Sequence, residues 1–214
     1  MMKNYGIPVA AEGWVFILPL AAITLLIFLI GWKSSGYALL ALTLFVLFFF
    51  RDPERSVPAG QGVVVSPADG KVIVVKDVYE PDYLKQDVKQ ISIFLSIFNV
   101  HVNRAPVEGA VELVKYNPGK FHVASADKAS LDNEQTAMVI TNGRRKILVK
   151  QIAGLIARRI VCYAKPGDAL TRGERYGLIR FGSRVDLFLP KDAEIKVKVG
   201  DRVTGAQDVI GVLK

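Results

Sequence analysis

The chain has one cysteine and two histidines in 214 residues. The lone Cys162 excludes an internal disulfide framework, and its neighbours Val161 and Tyr163 make it read as a buried strand position. His101, His122 and one core-like thiol are a poor ligand inventory for a metal centre. Asn103 also stands where a His-x-His pair would need its second imidazole, so no metal is expected. The Gly-x-Ser-x-Gly elbow is absent, which leaves an α/β-hydrolase unsupported. Acidic residues are in deficit, 20 against 28 lysines and arginines, for a formal charge of +8. That balance suits either nucleic acid or an anionic membrane surface, and charge alone does not separate them.

Long apolar runs do separate them, in favour of a membrane and against nucleic acid. The hydrophobic fraction is 51%, and nearly all of the excess lies before Arg51. Trp14 to Gly31 is apolar throughout and contains Pro19; after Trp32-Lys33-Ser34-Ser35 a second run extends from Tyr37 to Phe50. Each is near the length needed to cross a hydrocarbon core. A cleavable signal peptide is disfavoured by a weakly basic start, the lack of a small-residue cleavage site and the second run. Residues 1–50 are therefore expected to form a transmembrane helical hairpin with Trp14, Trp32 and Tyr37 as interfacial anchors, the second run being short enough to tilt or re-enter. Arg51 and Arg55 against Lys33 in the turn place both termini, and the domain that follows, on the cytoplasmic face of the inner membrane.

Residues 51–61, with Pro53, Pro58 and Gly60, read as a linker, and residues 62–214 as one sheet-based domain. Runs rich in β-branched residues predict strands at Val63–Val65, Lys71–Val78, Gln90–Ile97, Gly109–Tyr116, Thr136–Ile140, Lys146–Ile152, Ile156–Tyr163, Tyr176–Phe181 and Val185–Leu189. Asn142-Gly143 predicts a hairpin. A weak repeat relates Lys165-Pro166-Gly167-Asp168 and the strand after it to Lys198-Val199-Gly200-Asp201 and its own strand. Such repeats recur in flattened β barrels or sandwiches of the biotinyl and lipoyl carrier kind, so the expected fold is mainly β. Carrier function does not follow, because no Met-Lys-Met hairpin tip is present. Pro118 to Gln135 reads as a long loop with one short helix, carrying His122 and Glu134.

Read locally, Gly182-Ser183 is a bend between two strands. Asp69 is a turn residue before a strand, and Arg184 with Asp186 is the polar face of one. Adjacent Arg158 and Arg159 point to opposite faces of their strand. His101 is the residue type best suited to acid–base work near neutral pH.

Taken in order, these pieces carry more. An apolar N-terminus, Ser66-Pro67-Ala68-Asp69-Gly70, the Phe98 to Pro106 segment, Asn133-Glu134 and Phe181-Gly182-Ser183-Arg184 resemble the phosphatidylserine decarboxylase proenzymes, specifically their short prokaryotic form, from Pro58 to Lys214. The resemblance implies self-cleavage between Gly182 and Ser183 into a β chain, 1–182, and an α chain, 183–214, that stay associated, possession of a homo-oligomeric state being left open. It implies that Ser183 attacks the Gly182 carbonyl and ends as a covalent pyruvoyl cofactor at the α-chain N-terminus. His101 is then the implied base and later proton donor, with Asp69 orienting it. Larger members carry a second histidine where this chain has Arg104, which leaves the division of labour between the two steps open. The implied reaction is decarboxylation of phosphatidylserine to phosphatidylethanolamine at an anionic lipid surface. The same chemistry would serve archaetidylserine, and a non-enzymatic membrane-anchored carrier-like domain is the alternative of another class.

Overall fold

A computed structural model describes residues 8–119, 133–154, 159–180 and 182–214. The chain divides into a helical unit that runs to Glu54 and a β unit, Arg55–Lys214. Of the expected linker, the part from Arg55 onward thus belongs with the β unit: Arg172 donates to the Pro58 and Gly60 carbonyls at 3.2 and 3.0 Å.

The helical unit is an antiparallel pair, α1 (Trp14–Leu29) and α2 (Lys33–Phe49). Both helices are apolar around their circumference, and Leu18, Leu25, Leu29 and Leu44 are all more than half exposed. Helices of this kind have no polar face to turn toward water. Residues 11–29 are long and apolar enough to cross a membrane, with mean hydropathy 2.2, and the second helix is shorter. Inside the pair the Thr24 and Thr43 hydroxyls meet at 3.0 Å, each also bonding a carbonyl one turn back in its own helix. Gly36 admits the Phe28 ring, which a Cβ there would meet at 2.7 Å.

The β unit is built on an antiparallel sheet of eight strands. They are β2 (Gly70–Glu80), β3 (Gln86–Leu95), β5 (Gly109–Asn117), β6 (Gln135–Asn142), β7 (Arg145–Ala153), β9 (Ala169–Leu170), β11 (Ser183–Pro190) and β13 (Arg202–Val203), in the order β13-β2-β3-β11-β7-β6-β5-β9. Two three-stranded sheets complete it. One is β1 (Val63–Val65), β14 (Val209–Val212) and β12 (Glu194–Ile195); the other is β4 (Val102–Arg104), β10 (Arg175–Ile179) and β8 (Ile160–Cys162). The mainly β expectation holds. The predicted runs overlap strands because β-branched side chains fit a pleated, half-buried surface; of the run predicted from Ile156, Ile160–Cys162 is strand and the first three residues lie outside the described residues. The expected hairpin is β6–β7: Asn142 pairs Arg145 and Gly143 takes φ +61°.

β11 lies at the middle of the large sheet, paired in register with β3 and β7. Val185, Leu187 and Leu189 point into the main core with Ile91, Ile93, Leu95 and Val149. The opposite face is buried too, under Phe188, Leu148, Val88 and Val139. Arg184 and Asp186 sit on that second face at 2% and 0% exposure, not on a solvated one. Arg184 Nε donates to Asp186 at 2.6 Å and its Nη2 to Ser92 at 2.8 Å, while Gln90 donates to the second Asp186 oxygen at 3.1 Å. Cys162 is half-buried rather than buried, and desolvation pushes its thiol up to about 11.

Candidate active site

Ser183 is the first residue of β11, fully buried between Leu95 of β3 and Ala153 of β7. Its neighbours on the chain explain why a strand can begin there. Gly182 adopts φ +50°, in the left-handed region open to glycine, and a Cβ built on it would meet nothing within 4 Å. The peptide bond before Ser183 therefore lies at a sharp change of direction with room beside it. Among the described residues the Ser183 hydroxyl has no hydrogen-bond partner. Buried hydroxyls are normally satisfied, and leaving one unpaired costs about 1–3 kcal/mol.

His101 is 1% exposed and precedes β4, which pairs with β10. Its carbonyl accepts the Ile179 amide at 3.3 Å, which puts His101 beside the last residue of β10, four positions before Ser183 in the sequence. His101 Nδ1 lies 2.9 Å from the Asn99 carbonyl. A carbonyl only accepts, so Nδ1 carries a proton, which in the neutral ring puts the basic lone pair on Nε2.

Asp69 is not hydrogen-bonded to His101. One carboxylate oxygen accepts from Arg55 Nη2 at 3.0 Å and the other from the Gly205 amide at 2.7 Å. The acid borders the same cavity as Asn99, the residue that holds His101. Arg55, read from sequence only as a basic flank of the apolar run, is thus a partner of the proposed site. Arg104 is buried and donates to the Gly173 carbonyl at 3.3 Å.

Asn133 and Glu134 bracket the residue opposite Ser183. Asn133 Nδ2 donates to the Ala153 carbonyl at 2.7 Å, and the Ala153 amide to the Glu134 carbonyl at 2.9 Å. Next along, Gln151 donates to Asn103 Oδ1 at 2.8 Å, tying β7 to the strand after His101. No sequence signal marked Gln151, because its partner lies 48 residues away. His122, the loop helix, Arg158 and Phe181 lie outside the described residues.

The family model described as phosphatidylserine decarboxylase matches residues 42–211. A phosphatidylserine decarboxylase proenzyme of Syntrophotalea carbinolica is 53% identical over 215 residues, covering all of both chains. Those of Geotalea uraniireducens and Ralstonia pickettii are 48% and 46% identical, covering 99% and 100% of this chain and all of theirs. With matches of that extent, the chain belongs to the phosphatidylserine decarboxylase family.

Proposed function

We propose that the chain is a proenzyme that cuts itself between Gly182 and Ser183 and then decarboxylates phosphatidylserine to phosphatidylethanolamine. The observation that carries this is the buried Ser183 hydroxyl, without a partner among the described residues, behind a left-handed glycine in a chain of this family. His101 Nε2 takes the hydroxyl proton, and Ser183 Oγ attacks the Gly182 carbonyl, so that an amide becomes an ester. Loss of the Ser183 α-proton then expels the Gly182 carboxylate, and loss of the nitrogen as ammonia, with water supplying oxygen, leaves a ketone on the α chain. Gly182 suits this because it presents no side chain to the attacking oxygen, and the space beside it admits the bent geometry. The pyruvoyl ketone supplies the electron sink for release of carbon dioxide. The chain's own contribution is to hold that position between β3 and β7 and to return a proton from His101 Nε2 to carbon. Asp69 acts on His101 through the wall it shares with Asn99, with Arg55 holding the carboxylate.

The helical hairpin anchors the enzyme in the inner membrane where its substrate resides, with the β unit on the cytoplasmic side. Intact mass of the purified protein tests the reading. The expected result is two associated fragments, 1–182 and 183–214, the smaller bearing a ketone that borohydride reduces. Ser183→Ala should give a folded, uncut and inactive chain. A single uncut chain in an active preparation would refute it.

A further inference from the structure

The β unit carries one turn-and-strand device twice. In one copy the Gly200 amide donates to the Val72 carbonyl at 2.9 Å and the Val72 amide to the Asp201 carbonyl at 2.8 Å. In the other, Gly167 donates to Val111 and Val111 to Asp168, both at 2.8 Å. Asp201 and Asp168 each cap the amide three residues back, Lys198 at 2.9 Å and Lys165 at 2.8 Å. Each copy ends in a two-residue strand on the large sheet, β13 against β2 and β9 against β5.

This correspondence sets Lys71 opposite Arg202 in one copy where the other has Ala110 opposite Ala169. The device closes with two small apolar residues, so its fold does not require charge there. Like charges directly opposite each other on neighbouring strands are destabilising. Among the described residues neither Lys71 nor Arg202 makes an ion pair, whereas Lys146, Arg172, Lys191 and Lys196 each meet a carboxylate. Both unmatched cations line a cavity of about 560 Å³. The one acid on its wall, Asp69, is already taken by Arg55 and Gly205.

The same cavity borders residues that adjoin His101 and the register partner of Ser183. Its wall includes Ser96 and Asn99; Ser96 Oγ donates to Asn99 Oδ1 at 2.7 Å, and the Asn99 carbonyl holds His101. Ser96 follows Leu95, the register partner of Ser183. Phe98 lies at the cavity with 63% of its surface exposed.

We infer that Lys71 and Arg202 bind the phosphodiester of the lipid substrate, with Phe98 at the rim facing the apolar part of the lipid. The inference rests on the decarboxylase reading and adds the head-group receptor to it. The substrate offers two anions, and the carboxylate is the one that must leave as carbon dioxide. Cations bound to it would stabilise the ground state and oppose its loss. The phosphodiester persists through the reaction, and in a phosphoserine head it sits one carbon from the amine-bearing carbon. The arginine fork suits its oxygens, with lysine as the second point charge.

The test uses full-length processed enzyme and short-chain phosphatidylserine dispersed in neutral detergent, so that membrane surface charge makes no contribution. Lys71→Gln with Arg202→Gln should raise KM about tenfold or more, a change on the scale of one charge-assisted hydrogen bond, with kcat within about twofold and cleavage complete. Glycerol 3-phosphate should compete with substrate in the wild type and poorly in the double variant. Arg202→Lys should recover part of the affinity. Lys191→Gln, at a cation paired elsewhere on the surface, should change nothing. An unchanged KM in cut, active double variant, or an equal shift in Lys191→Gln, would overturn the phosphate receptor alone. An uncut wild-type chain without a ketone would overturn the decarboxylase reading and this one with it. Should the glutamine pair fail to accumulate, Lys71→Ala with Arg202→Ala copies the pairing of the other repeat, and absence of glycerol 3-phosphate competition in the wild type would by itself refute the inference.

Discussion

A buried hydroxyl without a partner weakens the fold that holds it, and among the described residues Ser183 is in that position, beside a glycine whose conformation disfavours most other residues. Local destabilisation concentrated at one peptide bond is consistent with the proposed cleavage there. Asp69 presents a different residue-scale question, because its carboxylate is bonded to Arg55 and Gly205 rather than to His101. If the acid acts by shaping the cavity wall, Arg55→Gln should slow self-cleavage about as much as Asp69→Asn does. Both would be read as the rate of conversion of full-length chain to fragments by mass. Slow cleavage in Asp69→Asn with normal cleavage in Arg55→Gln would instead give the carboxylate a direct part in the reaction.

At the scale of the element, the proposed cut before Ser183 requires β11 to hold its place afterwards. It is bonded on both sides over most of its length, and its second face is pinned by the Arg184–Asp186 pair with Ser92 and Gln90. Removing one partner of a buried pair leaves an uncompensated charge, so Asp186→Leu should cost about 3–5 kcal/mol. Arg184→Leu combined with Asp186→Leu should recover most of that, measured by urea midpoint and by retention of the α chain in size-exclusion chromatography. A second buried pair, Glu80 with Lys150 at 3.2 Å, ties β2 to β7. Burial opposes ionisation of Glu80, but the Leu84 and Tyr83 amides and Lys150 outweigh it and hold the carboxyl below its ordinary 4.5. A lowered folded-state pKa means that this group's stabilisation is present above 4.5 and is lost as pH falls through the folded value. The urea midpoint should therefore drop on acidification below about 4.5, and Glu80→Gln should lose part of that drop while being less stable at neutral pH.

At the scale of the whole molecule, an apolar helical unit and a basic β unit lie on one chain. Two forces could hold such a protein to a membrane, burial of apolar side chains and attraction to anionic lipid, and salt separates them because it screens only the second. The full-length protein should remain with vesicles of neutral lipid in flotation at high salt. Release by salt would show that charge alone attaches it and would remove the anchoring role from α1 and α2.

Much of this was legible in the sequence because it is local. β-Branched runs, the Asn142-Gly143 turn and two unbroken apolar stretches follow from side-chain shape and solvation over a few residues, and the ordered motifs around Asp69, His101 and Ser183 identified the family. Tertiary structure decided what depends on which residues meet. Alternation of Arg184 and Asp186 with apolar residues reads as a half-exposed strand, yet both faces of β11 are covered, so an apparent solvent face became a buried ion pair. Asp69 found its amide partner 136 residues away, and Lys71 faces Arg202 only because the repeat folds each copy onto an opposite end of the sheet. Sequence determined the chemistry available at Gly182-Ser183, since that resides in bonds and side chains. Whether the serine is buried, and without a partner among the described residues, is a matter of long-range packing, which no local pattern encodes.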